Sequence, residues 1–203
     1  MGISKLRLFE ILNSVKYPTK LPSKHKKWES LTKESILHKN PWFEVYSESL
    51  LLPDGEVIPE YFRIEMPHYA AVFAVTDDKK IIILRSYRHA IGEVTLTVPG
   101  GMIEKGESPL QGIKREFLEE TGFVANVWES LGTFAGNSTR GCGTYHFFFA
   151  SESKNVQKPN SGDLEEIEIL FWSKNDVEKA INEGKAKSLG VITTLMLGLR
   201  CLK

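Results

Sequence analysis

The 203-residue sequence predicts an α+β fold. Strand-like runs dominate the chain from Ser35 onward, one charged helical pattern interrupts them near residue 110, and two further helical patterns close the chain. This segregation differs from the alternating strand–helix order of a parallel α/β sheet. The length and the 41% hydrophobic share suit one domain able to bury a sizeable core.

The first expected element is an amphipathic helix over residues 3–16, where Ile3, Leu6, Phe9, Ile11, Leu12 and Val15 fall mostly on one face. "YPTKLPSKHKK" carries two prolines and reads as an irregular, solvated connection. Residues 1–34 are therefore expected to be helix and linker. "WFEVYSESLLL", a turn at Pro53-Asp54-Gly55, and "EVIPEYFRIE" predict an antiparallel strand pair over residues 35–66. Residues 67–203 form the main domain. "YAAVFAVT" and "KIIILRSYR" flank a turn at Asp77-Asp78, and "VTLTVP" is a further strand. "VANVWESLGTFA", "GTYHFFFAS" and "EEIEILFWS" follow the charged helix as strands, with helices near Asn175–Gly184 and Ser188–Leu202 at the end.

The charged helix has legible ends. Ser108 is an N-cap, Pro109 suits the first helical position, Gln111 completes a capping box, and Gly122 stops the helix, giving residues 109–121. Leu110, Ile113 and Phe117 share a face expected to bury against a sheet. Glu116, Glu119 and Glu120 stack at i, i+3 and i+4 on another, where Gly112 is expected to leave open space. Like charges at that spacing repel by about 0.2–0.5 kcal/mol per pair. A hard divalent cation, which seeks carboxylate and carbonyl oxygens, would turn that repulsion into binding. The bare backbone at Gly100-Gly101 could offer the same ion a carbonyl.

Charge balance narrows the partners. Lys plus Arg and Asp plus Glu number 26 each, unlike a dedicated nucleic-acid or membrane-surface binder. Cys142 and Cys201 belong to no CxxC pair, so neither a zinc site nor a redox motif is expected. No secretory segment and no apolar run near ~18–20 residues occurs, so the expected compartment is cytoplasmic.

The stretch "GGMIEKGESPLQGIKREFLEETGF" resembles the Nudix box, G-x5-E-x7-R-E-U-x-E-E-x-G-U, at every fixed position: Gly101, Glu107, Arg115, Glu116, Phe117, Glu119, Glu120, Gly122 and Phe123. The resemblance implies a Nudix fold, a mixed β-sheet between helices, and hydrolysis of a nucleoside diphosphate linked to another group. It implies Mg2+, with Mn2+ accepted by the same oxygens, held by Glu116, Glu119, Glu120 and the Gly100 carbonyl. Glu119 would also orient water, and Glu107 and Arg115 would brace the loop and helix.

Beyond the box, "ILRSYRHAIGEVTLTVPGG" and the closing "GDLEEIEILFWSKNDVEKAINEGKAKSLGVITTLMLG" are similar to the ADP-ribose and nucleoside-diphosphate-sugar pyrophosphatase branch. That resemblance implies a homodimer built through the strand pair, Arg88 on the substrate's phosphates, and Trp42 and Tyr61 sandwiching the base. It places a general base at Glu165, with Glu166 its nearest competitor. Gly136, Gly141 and Gly143 in "FAGNSTRGCG" suggest a loop that closes over a ligand, and Arg140 within it could grip a phosphate. A nucleotide-sugar-sensing Nudix module without turnover and a Nudix hydrolase of other nucleotides are the alternatives.

Overall fold

The structure, a computed structural model, describes residues 26–160, 162 and 166–202. The helix expected over residues 3–16, and Glu165, lie outside the described residues. The chain contains β1 (Glu29–Lys39), β2 (Phe43–Leu51), β3 (Val57–Glu65), β4 (Tyr69–Thr76), β5 (Ile81–Arg88), β6 (Glu93–Thr97) and β7 (Gly100–Met102). Helix α1 (Pro109–Thr121), β8 (Phe123–Asn137), β9 (Gly141–Asn155), β10 (Glu168–Trp172), α2 (Lys174–Asn182) and α3 (Leu189–Leu199) follow.

The described residues fall into two compact units, one of those up to Lys33 with Glu48–Tyr61, the other of Glu34–Ser47 with those from Phe62 onward. Within the smaller, Thr32 and Ser49 join β1 to β2 through their hydroxyls, 2.8 Å apart, and the ring of Trp28 meets Tyr61 edge-on. Residues 29–34, expected as linker, are strand. All of β1 is solvent-exposed, so no buried face imposed the alternation by which a strand is read from sequence.

The larger unit holds the core. Within it hydrogen-bonded neighbours run β9-β4-β5-β10, with β6 on β5, β7 on β4 and β8 on β9. Parallel pairing of β4 with β9 and antiparallel pairing of β4 with β5 and β7 make the sheet mixed. Strand β4 is buried on both faces. Ala70, Val72 and Ala74 join Ile82, Leu84 and Phe148 beneath Ile113 and Phe117 of α1. Ala71, Phe73 and Val75 join Ile81, Ile83, Phe147 and Phe149 beneath Val177 of α2 and Val191 and Leu195 of α3. Successive residues of a strand face opposite ways, so these apolar runs support a helix on either side, as the α+β reading expects.

Three local expectations are corrected. Leu110 is 37% exposed, because it lies in the first turn of α1, ahead of the Ile113 and Phe117 face. Gly112 does not open the acidic face: it is buried, and a Cβ there would meet Glu107 Oε2 at 3.2 Å and Ile103. The segment around Asn137–Gly141 is a hairpin rather than a loose loop, with Asn137 paired to Gly141. Gly141 and Gly143 have φ of +98° and +75°, so these glycines serve the backbone of a tight hairpin.

Candidate functional site

Helix α1 is fixed at both ends by its own chain. Ser108 Oγ accepts from the Gln111 N–H, and Gln111 Oε1 accepts from the Ser108 N–H at 2.9 Å. At the other end Gly122 adopts φ 73°, and a Cβ there would lie 2.0 Å from the Gln157 carbonyl oxygen. Only glycine fits both the left-handed turn and the close approach.

The sheet brings Gly100 and Gly101 of β7 beneath the acidic side of α1. The Gly100 N–H donates to Glu120 Oε2 at 2.8 Å, and Glu120 is buried. A Cβ on Gly101 would lie 2.2 Å from the carboxyl carbon of Glu116. Glycine at this step is therefore what lets a carboxylate rest on the backbone.

Arg115 gathers the rest. Its Nε and Nη2 donate to both carboxyl oxygens of Glu107, at 2.8 and 3.1 Å, and Nη2 also donates to the Met102 carbonyl. Its Nη1 donates to Glu116 Oε1 at 2.9 Å and Glu119 Oε2 at 3.0 Å. Five N–H donors thus meet five acceptors, the full capacity of a guanidinium. The Arg115 hydrogen bond, then the Glu104 backbone N–H, holds the Glu107 carboxyl below its ordinary value. Glu107 in turn raises the Arg115 guanidinium.

The oxygen set suits a hard divalent cation: of the three helical carboxylates, Glu116 and Glu120 lie against the Gly100-Gly101 step, where glycine leaves room a side chain would fill. Among the described residues no three His, Cys, Asp or Glu side chains already stand gathered as a metal cage. Arg115 engages Glu116 and Glu119, and a backbone N–H engages Glu120. An incoming cation competes with those donors.

Tyr69, which nothing in the sequence singled out, joins this site to a second feature. Its hydroxyl donates to the Gly100 carbonyl at 2.7 Å. Burial, followed by the negative charge of Glu120, pushes its phenol up, so the proton stays available for that bond. A buried tyrosine hydroxyl needs a partner, but which partner depends on β7 returning beside β4. Tyr69 and half-buried Arg88 line a cavity of about 240 Å³ reaching Thr97, Val191 and Tyr145. A neighbouring cavity of about 400 Å³ shares Tyr145, Ser188 and Gly190 with it.

The remaining expected residues have separate settings. Trp42, at the turn between β1 and β2, is 65% exposed. Tyr61 contacts Trp28. Arg140 lines neither cavity; its Nη1 donates to the Phe62 carbonyl at 3.0 Å. Glu166 is exposed at the entry to β10. Glu168 pairs with Arg85, which gives that arginine a cross-strand role in the β5–β10 register.

The NUDIX domain family matches residues 66–190. ADP-ribose pyrophosphatase of Bacillus subtilis (strain 168) is 28% identical over 154 residues, covering 75% of this chain and 82% of its own length. Methanol dehydrogenase activator of Bacillus methanolicus is 28% identical, covering 68% of this chain and 73% of its own. ADP-ribose pyrophosphatase of Mycobacterium tuberculosis (strain ATCC 25618 / H37Rv) is 26% identical, covering 71% and 70%. A solved structure described as an ADP compounds hydrolase has a TM-score of 0.75 and 21% identity, covering 89% of this chain and 97% of that one, and shares the fold. The chain belongs to the Nudix family and is a Nudix hydrolase similar to the ADP-ribose pyrophosphatase branch.

Proposed function

We propose that this hydrolase cleaves the pyrophosphate bond of a nucleoside diphosphate linked to a sugar, ADP-ribose or a related nucleotide sugar, giving a nucleoside monophosphate and a sugar phosphate. The observation that carries the reading is the junction at Gly100. Its N–H is bonded to Glu120 of α1, and its carbonyl, through Tyr69, leads to a cavity that carries Arg88. The names of the Bacillus subtilis and Mycobacterium tuberculosis relatives point the same way.

Family members use divalent metal ions, and here Mg2+ or Mn2+ would be held by Glu116, Glu119, Glu120 and the Gly100 carbonyl. Such an ion supplies neutralisation of the pyrophosphate charge and polarises an attacking water. Arg115 braces this set against Glu107, and Arg88 receives a phosphate. Either Glu165 or Glu166 takes the water's proton. Exposed Trp42, Leu37 and Phe43 within residues 35–66 support a homodimer through that surface. The two free cysteines suit a reducing cytoplasm.

The test is incubation with Mg2+ and a panel of ADP-ribose, ADP-glucose, GDP-mannose, UDP-glucose, diadenosine polyphosphates and nucleoside triphosphates, with product identification. Cleavage of nucleotide sugars that excess chelator abolishes is expected. Turnover confined to the triphosphates, or untouched by chelator, refutes the reading. Removing the general base lowers kcat by on the order of 10²–10⁴-fold while magnesium affinity is kept. Wild-type kcat in both Glu165→Gln and Glu166→Gln places the base elsewhere.

A further inference from the structure

Two of the chain's five histidines, His68 and His146, meet on the sheet, and neither lines a cavity described above. His68 immediately precedes β4, and His146 lies in β9. The parallel register sets Ala70 against His146. Strand alternation sends the His146 side chain to the same face as Phe148. There the two imidazole rings stand 6.2 Å apart, centroid to centroid, with their planes at 84°. His146 Nδ1 lies 3.1 Å from Thr133 Oγ1 of β8. The His68 backbone is held in place, because its carbonyl accepts from the Ile103 N–H at 2.9 Å. His68 is exposed and His146 is half-buried, so packing alone gives this ring pair little.

The pair has the chemistry of an imidazole metal site. Burial, then the charge of neighbouring His68, lowers the His146 imidazole from its ordinary value. At neutral pH that ring therefore keeps a free lone pair. Thr133 Oγ1 can accept from an Nδ1–H, which leaves Nε2 as the coordinating atom. Such outer hydrogen bonds orient histidines that hold metals. Metal–nitrogen bonds of about 2.0–2.1 Å keep the centres of two imidazoles on one ion roughly 5–6.4 Å apart. The observed separation lies within that span, and exposed His68 can turn about its side-chain bonds to complete the approach.

We propose that His68 and His146 together bind one late first-row transition-metal ion, of the Zn2+, Ni2+ or Cu2+ class, separately from the oxygen set of α1. Imidazole nitrogen suits these ions, whereas Mg2+ takes carboxylate, carbonyl and water oxygens. Among the described residues no three His, Cys, Asp or Glu side chains gather as a cage, so water completes the coordination, as in an open zinc site. The ion ties β4 to β9 one residue ahead of Tyr69, whose hydroxyl holds the Gly100 carbonyl.

The test uses tag-free protein with Mg2+ in excess to compete for the carboxylates. Calorimetric titration with Zn2+ measures affinity, and electron paramagnetic resonance with Cu2+ counts nitrogen ligands by their hyperfine couplings. The proteins are wild type, His68→Ala, His146→Ala and Glu120→Gln, each checked by thermal unfolding without added transition metal. If His146→Ala fails to fold, His146→Gln replaces it, keeping a partner for Thr133. Wild type should bind Zn2+, and its Cu2+ spectrum should show two nitrogens. Loss of either imidazole should weaken Zn2+ binding at least about tenfold, since even an outer partner of a ligand is worth that much. Glu120→Gln should bind within about twofold of wild type. The proposal is overturned if wild type binds no Zn2+, or if either histidine variant binds it like wild type. It is equally overturned if Glu120→Gln loses the binding, or if the Cu2+ spectrum shows fewer than two nitrogens.

Discussion

The two sides of Gly100 are built on opposite plans. On the α1 side, charges and backbone donors interlock: Arg115 spends five donors on five acceptors, and Glu120 is tied to the Gly100 N–H. On the α3 side, rings and aliphatic side chains line two neighbouring open cavities. The first side holds the groups proposed for metal and phosphate chemistry, and the second offers apolar surface for binding. Variants of the first should therefore lower kcat, and variants of the second should weaken binding.

The largest effect is expected at Glu120. Glutamine preserves its size and can still accept from the Gly100 N–H, so the fold should hold while a charge is lost. Turnover should fall by at least ~100-fold, the scale for removing a group that stabilises developing charge, with thermal unfolding nearly unchanged. A Glu120→Gln protein that turns over normally but has a raised KM would erase the division between the two sides.

Tyr69 tests whether the sides are coupled, because its ring packs 5.5 Å from that of Tyr145 and its hydroxyl holds the Gly100 carbonyl. Tyr69→Phe keeps the ring and removes one buried hydrogen bond. That costs about 1 kcal/mol, a fall of roughly 2–4 °C in Tm for a chain of this size. Turnover should drop less than in Glu120→Gln, since the Gly100 carbonyl remains in place. An unchanged Tm with unchanged kcat would mean that the hydroxyl contributes nothing to the junction.

The same contrast explains what could be read from the sequence. The α1 side occupies one unbroken stretch, so caps and charge spacing announced it: Ser108, Gln111 and Gly122 cap the helix as expected, and Arg115 bridges Glu107 to Glu116 and Glu119. Even there, a helical wheel could not show the loop folding back. Gly112 is covered by Glu107 and Ile103 for that reason. The packed rings of Tyr69, Phe134, Tyr145 and Phe147 come from β4, β8 and β9, and only the parallel register that sets Tyr69 beside Tyr145 aligns them. Phe134 and Tyr145 each read as an ordinary strand residue, because strand pairing over long separations leaves no local mark. Residues 29–34 of β1 escaped notice because none of them is buried.

The smallest expected effect belongs to Glu107, and it probes the charged side without touching the acids proposed to hold metal. Arg115, ahead of the Glu104 N–H, depresses the Glu107 carboxyl. A carboxylate held below its unfolded value adds stability that is complete above the ordinary glutamate range, near pH 4.3, and is lost as pH falls through the depressed folded value. Glu107→Gln lacks this contribution at every pH. The Tm gap between wild type and variant should therefore be widest near pH 6–7 and shrink toward about pH 3. The gap should be modest throughout, because a partly exposed ion pair contributes at most about 1 kcal/mol and Arg115 keeps its bonds to Glu116, Glu119 and Met102. Thermal unfolding of both proteins across that pH range measures it. A gap that widens in acid would mean that folding favours the protonated Glu107. The brace between loop and helix would then be a neutral hydrogen bond instead of an ion pair.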